Sequence, residues 1–240
     1  MKKKYIRRIV GVIIVTILVI ACCYVNDYYH ADQSEIESFV VEPKIEIEVL
    51  ENNDIVCIPD EINAGMIFYP GGKVEYTAYL PLMKACASKG VLTVLTKMPC
   101  NLAVLDINAA DGIREKYPEV SKWYMAGHSL GGTMAASYIK NNMEEFEGLI
   151  LLGSYTTEKL EAAELAVLSI YGSEDKVMNM ENYIENKEKL PEMFAEQILT
   201  GGNHAGFGMY GAQDGDGVAT ITNEAQIWMT AGSICDFVVE

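Results

Sequence analysis

A strand, a tight turn of small residues and an Ala-rich helix follow one another between Trp123 and Ala136, and this pattern constrains the fold more than any other stretch. Ser129 lies where the strand meets the helix, with Gly127 and Gly131 two positions to either side. Glycine is needed at both positions because a Cβ atom there would collide with the neighbouring strand or helix. A serine in such a turn has a strained backbone and a hydroxyl that faces outward. The pattern therefore predicts that Ser129 is a nucleophile.

Short apolar runs and amphipathic segments alternate from residue 65 onward. Runs without polar alternation are typical of parallel strands that helices cover on both faces. The predicted strands are residues 65–69, 91–96, 122–126, 149–152, 166–171 and 194–199. The predicted helices are residues 76–89, 102–116, 130–142, 157–164, 180–189 and 222–237. Together with two earlier strands, this pattern predicts an α/β fold with a doubly wound, mostly parallel sheet of about eight strands and helices on both faces.

The two earlier strands come before the parallel ones. Residues 44–49 alternate polar and apolar side chains, as a half-exposed edge strand does, and residues 54–58 follow a turn that indicates an antiparallel hairpin. We therefore expect one domain over residues 43–240, a normal size for a single α/β domain. Only about a dozen residues separate the predicted strands 149–152 and 166–171, which leaves no room for a lid domain.

The N-terminus has the features of a membrane segment. Five basic residues and no acid occupy the first eight positions, and residues 9–25 carry no charge. This length is at the lower limit for crossing a bilayer, and the basic flank predicts a cytoplasmic N-terminus. We favour an uncleaved signal anchor over residues 1–25; the alternatives are a lipoprotein signal acylated at Cys22 and a cleaved signal peptide. All three place the body outside the cytoplasm, after a polar stalk at residues 26–42.

The charge and the cysteines exclude other classes of function. The net charge is −16, and without the five N-terminal basic residues it is about −21, so no basic stripe is available for nucleic acid. Four cysteines lie outside the membrane segment, and none forms a C-x-x-C pair that would indicate a zinc or redox site. Buried free thiols are favoured for them, although sequence alone does not exclude disulfides. They are Cys57, Cys86, Cys100 and Cys235.

The carboxyl ends of parallel strands form the ligand-binding edge of such a sheet. A Pro-Gly-Gly turn follows the strand 65–69, and it predicts that backbone amides of Gly72 and Leu130 form an oxyanion hole; the alternative is a simple chain reversal. Glu174 and Asp175 follow the strand 166–171, and either carboxylate is placed to orient a histidine.

His204 follows the strand 194–199, and it is the only suitable general base among the three histidines. His30 lies in the expected stalk. His128 lies inside the turn beside Ser129, where its side chain is expected to point away from the nucleophile. The order serine, acid, histidine along the chain is the order that this kind of fold requires.

Five motifs resemble the α/β-hydrolase superfamily, and within it the dienelactone-hydrolase-like group called α/β hydrolase fold 5. They lie at residues 68–76, 98–103, 127–132, 171–175 and 202–208, and the similarity extends over about residues 62–239. The resemblance implies a catalytic triad of Ser129, Asp175 and His204 that needs neither a metal nor an organic cofactor. Dienelactone hydrolases use a cysteine nucleophile, so lactone specificity is not implied here.

The sequence therefore predicts a membrane-tethered serine hydrolase, and a carboxylesterase acting on small acyl esters is the first hypothesis. Other acyl-transfer reactions on the same triad (amidase, peptidase, thioesterase or acyltransferase) and a non-catalytic binding module are the alternatives. Gly71, Lys73 and Tyr76 are expected to contact the small-molecule ester. The Asp-Gly-Asp-Gly stretch at residues 214–217 is expected to be a structural turn, and the sequence does not indicate an oligomeric state.

Overall fold

The protein is described by a computed structural model, which covers residues 2–161 and 164–239. Its eight strands form one sheet in the order β1-β2-β4-β3-β5-β6-β7-β8. Both pairings of β2 are antiparallel, and all other pairings are parallel, so the predicted fold class is confirmed. The strands are β1 (Glu46–Val49), β2 (Ile55–Ile58), β3 (Ala64–Tyr69), β4 (Val91–Leu95), β5 (Trp123–His128), β6 (Gly148–Leu152), β7 (Ala166–Gly172) and β8 (Phe194–Leu199).

The register of the central strands brings three loops together. Tyr69 at the end of β3 lies opposite Gly127 on β5, and His128 at the end of β5 lies opposite Leu152 on β6. The residues that follow β3, β5 and β6 therefore leave the sheet side by side. This arrangement places the turn at residues 70–72, the serine at position 129 and the loop after residue 152 around one point.

Helices and loops cover both faces of the sheet. The helices are α1 (Lys2–Asn26), α2 (Gln33–Ser38), α3 (Leu80–Ala87), α4 (Leu130–Ile139), α5 (Met180–Asn186) and α6 (Asn223–Val239). Alternate residues of β3 show how the sheet divides the core: Met66 and Phe68 belong to the core under α3 and α6, whereas Ile67 and Tyr69 belong to the core under α4.

The predicted helix at residues 102–116 is wrong, because the segment contains only short 3-10 turns, Ala103–Leu105 and Arg114–Lys116. The buried hydroxyl of Tyr69 explains the difference. It donates a hydrogen bond to the carbonyl of Ile107 (2.6 Å) and accepts one from the amide of Ala110 (3.0 Å). A tertiary contact therefore takes up backbone groups that a helix would pair internally.

The predicted helix at residues 157–164 is also wrong over its described part. Residues 157–161 and 164 contain no helix, and Ala162 and Ala163 lie outside the described residues. The hydroxyl of Thr156 accepts the amide N–H of Glu158 at 2.9 Å, and the amide of Leu160 donates to Lys189 at 2.8 Å. These contacts hold the segment against the 3-10 turn that follows α5.

Residues 27–41 do not form the expected solvated stalk, because they pack on the domain. The short helix α2 begins at the capping residue Asp32, whose carboxylate accepts two backbone amides. Three apolar side chains from α2 and the residues just after it are buried in the core under α3 and α6. One of them, Phe39, stacks on Trp228 with ring centroids 5.4 Å apart. The buried residues are Ile36, Phe39 and Val41.

Helix α1 has the length and composition to cross a membrane. Its segment Arg7–Asn26 is 20 residues long with a mean hydropathy of 2.7, and none of it is buried against the rest of the protein. A signal sequence would have the same properties.

Candidate active site

The turn between β5 and α4 has the geometry that the sequence predicts. Ser129 has φ 52° and ψ −124°, a conformation that non-glycine residues rarely adopt. The amide of Ser129 donates to the carbonyl of Leu152 (2.9 Å), and the hydroxyl of Ser154 donates to the carbonyl of Ser129 (2.7 Å). Two backbone groups of the strained residue are therefore fixed by the neighbouring strand and its loop.

The glycines around Ser129 are required by close backbone packing. A Cβ atom at Gly127 would lie 2.5 Å from the carbonyl carbon of Gly131, and one at Gly131 would lie 2.3 Å from the carbonyl oxygen of Pro70. A Cβ atom at Gly132 would lie 2.6 Å from Oγ of Ser154. The strand-to-helix turn at residues 127–131, which we call the elbow, is thus packed tightly against the turn that follows β3.

We expect Gly131→Ala to destabilise the protein by about 1–3 kcal/mol, the usual cost of overpacking. The new methyl group would push apart two backbone segments, the elbow helix and the turn at Pro70, neither of which is a flexible side chain. Urea unfolding measures the change. Gly232→Ala is the matched control, since nothing lies within 4 Å of a Cβ there and alanine favours a helix interior. Equal stabilities of the two variants would contradict the prediction.

A buried carboxylate and imidazole face Ser129 from the loops after β7 and β8. Asp175 Oδ2 accepts a hydrogen bond from Nδ1 of His204 at 2.8 Å, and each side chain is only 1% exposed. Asp175 Oδ1 accepts the backbone amides of Val177 and Met178, both at 2.9 Å. The carboxylate is thus fixed by three donors, and Nε2 of His204 keeps no partner within the described residues.

Of the two acids left open by the residue pattern, the geometry favours Asp175. Glu174 is half-buried, and its carboxylate accepts the hydroxyl of Ser173 at 3.0 Å rather than the imidazole. The loop at residues 214–217 packs against the loop that carries His204, since the carboxylate of Asp216 accepts the amide of Ala205 at 2.9 Å.

Ser129 and His204 line one cleft of about 260 Å³ at the carboxyl edge of the sheet. Gly153, with φ 49°, lies at its floor, where a Cβ atom would be 3.0 Å from Nδ1 of His204 and 3.1 Å from Oδ2 of Asp175. The structure therefore brings together all three residues assigned to the triad. The remaining lining residues are Leu130, Thr133, Ser154, Tyr155, Val177, Met178 and Asn179.

Gly72 and Leu130, whose amides are assigned to the oxyanion hole, pack closely. A Cβ atom at Gly72 would be 2.8 Å from Cδ2 of Leu130, and Leu130 is the first residue of α4, so its amide has no intrahelical acceptor. In the described part of the chain, neither of the two amides donates a hydrogen bond. The positive end of α4 adds to the attraction for an anion at this position.

The residues expected to contact the substrate lie elsewhere. Lys73 forms an ion pair with Asp27 (2.7 Å), and the hydroxyl of Tyr76 donates to the carbonyl of Asn53 (3.0 Å). Gly71 is buried beneath Tyr79. None of the three expected residues is part of the cleft lining, so the geometry does not support a direct contact with substrate.

Tyr79 and His128 form a buried pair behind the cleft that the sequence pattern does not reveal. The amide of Gly71 donates to the hydroxyl of Tyr79 (3.2 Å), and that hydroxyl lies 2.8 Å from Nδ1 of His128. The phenol oxygen has two lone pairs, so Tyr79 donates to Nδ1 in one tautomer of His128 and accepts Nδ1–H in the other. The ring of His128 lies 4.5 Å from the ring of His204.

This pair predicts an acid-sensitive stability. Burial first, and the neighbouring His204 second, hold the pKa of His128 well below its usual range. Below about pH 6.5 the unfolded chain gains a proton at this residue that the folded chain does not bind, so the free energy of unfolding should fall by up to ~1.4 kcal/mol per pH unit. Above about pH 6.5, neither the folded nor the unfolded chain binds this proton, so His128 no longer lowers the free energy of unfolding.

Urea unfolding at pH 7 and pH 5 measures the slope. His128→Asn should reduce this slope by up to ~1.4 kcal/mol per pH unit. An identical slope in wild type and His128→Asn would contradict the prediction.

Comparisons with known proteins agree with the fold. Residues 65–228 match the family model described as the alpha/beta hydrolase family. The esterase domain of a Rhodothermus marinus protein superimposes with a TM-score of 0.60 at 11% identity, over 82% of this chain and 98% of that one. A predicted CIB-like hydrolase from Thermoplasma acidophilum superimposes with a TM-score of 0.56 at 15% identity, over 80% of this chain and 99% of that one. No curated protein matches the sequence.

The solved structures share the fold, and the family model covers more than half of the chain, including the elbow, the acid and the histidine. The chain belongs to the alpha/beta hydrolase family.

Proposed function

We propose that this protein is a serine hydrolase that cleaves carboxylic esters with Ser129 as nucleophile, His204 as general base and Asp175 as the orienting acid. The observation that carries the proposal is the buried hydrogen bond of 2.8 Å between Asp175 and His204 in the cleft that also exposes Ser129. A nucleophile, a base and an orienting acid in this relation are the requirements for covalent catalysis of acyl transfer.

The reaction follows from the hydrogen bonds. Asp175 accepts Nδ1–H of His204, so Nε2 is free to take the hydroxyl proton of Ser129 as the oxygen attacks the ester carbonyl. The amides of Gly72 and Leu130 stabilise the oxyanion. His204 then gives the proton to the leaving alcohol, and a water molecule, deprotonated by the same imidazole, releases the acid from the acyl-enzyme.

The cleft favours small acyl groups. Its volume of about 260 Å³ has room for a short chain, and its apolar walls come from Leu130, Tyr155 and Met178. The loop between β6 and β7 begins at Gly153 and ends before Ala166, too short for a lid domain. We therefore assign short-chain esters as the substrate class.

The proposed location is the outer side of a membrane, with α1 as a single-pass anchor. The apolar segment Arg7–Asn26 supports this assignment by its length and composition, and the basic residues before it favour a cytoplasmic N-terminus. A lipid on Cys22 or a cleaved signal peptide would place the same domain outside the cytoplasm.

Labelling with a fluorophosphonate tests the proposal, because this reagent reacts with activated serines. Wild type should be labelled at Ser129, and Ser129→Ala and His204→Ala should both lose the label while remaining folded by circular dichroism. A panel of short-chain ester, amide and thioester substrates then separates an esterase from the other acyl-transfer reactions. Absence of labelling in folded wild type would contradict the proposal and favour a non-catalytic binding module.

A further inference from the structure

The chain that leaves helix α1 is attached directly to the turn at residues 70–73, which carries the amide of Gly72 and which we call the oxyanion turn. Asp27, the first residue after the helix, pairs with Lys73 at 2.7 Å, and Lys73 follows Gly72 in sequence. The amide of Tyr29 donates to the carbonyl of Lys73 (2.8 Å), and the amide of Glu75 donates to the carbonyl of Tyr29 (2.9 Å). A short parallel bridge thus joins residues 27–29, which we call the strap, to the turn.

The strap leaves little slack between the apolar helix and the cleft. Only two residues lie between the helix end at Asn26 and Tyr29, and three extended Cα–Cα steps span at most ~10 Å. The strap is also fixed from a second side, because the hydroxyl of Tyr29 accepts the amide of Asp214 at 3.1 Å. If α1 lies in a bilayer, the oxyanion turn is therefore held close to the surface of that bilayer.

A second, independent feature lies at the same place. The turn Pro99–Asn101 contacts α1, and the chain continues from it into two exposed apolar side chains, Val104 (50% exposed) and Leu105 (57% exposed). Between them and the turn, Ala103 is fully buried and fixes the segment against the fold. We call residues 100–105 the rim. Exposed apolar side chains that follow a turn in contact with an apolar helix fit the boundary between lipid and water.

We propose that the rim and the strap hold the mouth of the cleft against the lipid surface, and that the substrate is a short acyl group carried by an amphiphile in that membrane. The assignment of an ester substrate rests on the proposed function, whereas the lipid contact does not. A lipid attached to Cys22 would give the same placement, since Cys22 lies five residues before Asp27. The small cleft takes the acyl group, and the bilayer holds the remainder of the molecule.

Fluorescence quenching tests the lipid contact without any catalysis. Cys100 is exposed, and Cys57, Cys86 and Cys235 are buried, so the full chain with Cys22→Ser and Cys23→Ser has one accessible thiol outside the helix. An environment-sensitive fluorophore on Cys100 should be quenched by nitroxide lipids in phosphatidylcholine vesicles. The matched control adds Cys100→Ser and Ser121→Cys, because Ser121 is exposed at the opposite edge of the sheet and should escape quenching. Equal quenching at the two sites, or none at Cys100, would overturn the proposal.

A kinetic experiment tests the substrate class. The full chain in vesicles is compared with a variant that carries a Gly/Ser insert of about 20 residues between Asn26 and Asp27, which lengthens the connection by ~25 Å. Hydrolysis of a fluorogenic butyrate ester attached to a dialkyl lipid should fall about tenfold through the lower effective concentration, whereas the same ester without the lipid should be hydrolysed equally by both proteins. Leu105→Asp should act in the same direction as the insert.

The two proposals fail in different ways. If wild type hydrolyses neither ester, the proposed esterase function is wrong, and the quenching result still decides the lipid contact. If both esters are hydrolysed and the insert changes neither rate, the enzyme is an esterase without the proposed preference for membrane-borne substrates.

Discussion

Replacing Ser129 by alanine should lower kcat for a soluble short-chain ester by about 10⁴–10⁶-fold, the range expected when the nucleophile of a serine triad is removed. The residual rate would come from the oxyanion amides and from substrate binding alone. The side-chain hydroxyl of Ser129 makes no hydrogen bond within the described residues, so the free energy of unfolding should change by less than about 1 kcal/mol. Steady-state kinetics and urea unfolding measure the two quantities separately.

Ser137→Ala is the matched control for this substitution. Ser137 lies on the same helix α4, and its hydroxyl donates to the carboxylate of Glu158 at 3.1 Å, outside the cleft lining. This variant should keep kcat within about a factor of two, as surface substitutions away from the reacting groups do. A Ser129→Ala enzyme that retains more than about one hundredth of kcat would rule out the acyl-enzyme mechanism.

The second large effect is expected for Asp175→Asn, which should lower kcat by about 10⁴-fold. The amides of Val177 and Met178 both donate to Oδ1, so an asparagine must keep its oxygen there and turn its NH₂ group toward Nδ1 of His204. The imidazole then carries its proton on Nε2 and cannot accept the proton of Ser129. The variant keeps the shape of the site and loses the tautomer that the reaction needs.

Glu174→Gln controls for the loss of one negative charge in the same turn. Glu174 bonds Ser173 and does not contact His204, so kcat should stay within about a factor of two. If the two variants lost activity equally, the assignment of Asp175 as the orienting acid would be wrong.

Local sequence signals were sufficient to predict the sheet and the turn at Ser129. Buried strands without polar alternation and the glycine spacing around Ser129 depend only on neighbouring residues, and the eight-stranded sheet and the strained turn agree with them. The position of His204 follows from chain order, because the carboxyl ends of parallel strands share one edge. Proximity of the triad could therefore be predicted without coordinates.

The sequence pattern could not predict contacts between residues that are far apart in the chain. The segment 102–116 has helical composition, yet the hydroxyl of Tyr69, 38 residues before Ile107, takes up its backbone groups. The polar residues 26–42 have the composition of a stalk, yet Ile36 and Phe39 find partners in the core. Lys73 occupies the turn expected to hold substrate and instead pairs with Asp27. In each case a contact with a residue distant in sequence, rather than the local composition, determines the structure.

The hydroxyl of Tyr79 connects the backbone before Gly72 to a buried histidine, because it accepts the amide of Gly71 and lies 2.8 Å from Nδ1 of His128. A doubly protonated imidazole can only donate at Nδ1, so the phenol could then no longer donate to it. Burial holds the pKa of His128 well below its usual range and so keeps the imidazole neutral in the folded protein. An uncharged core residue thus supports the backbone next to the amide of Gly72.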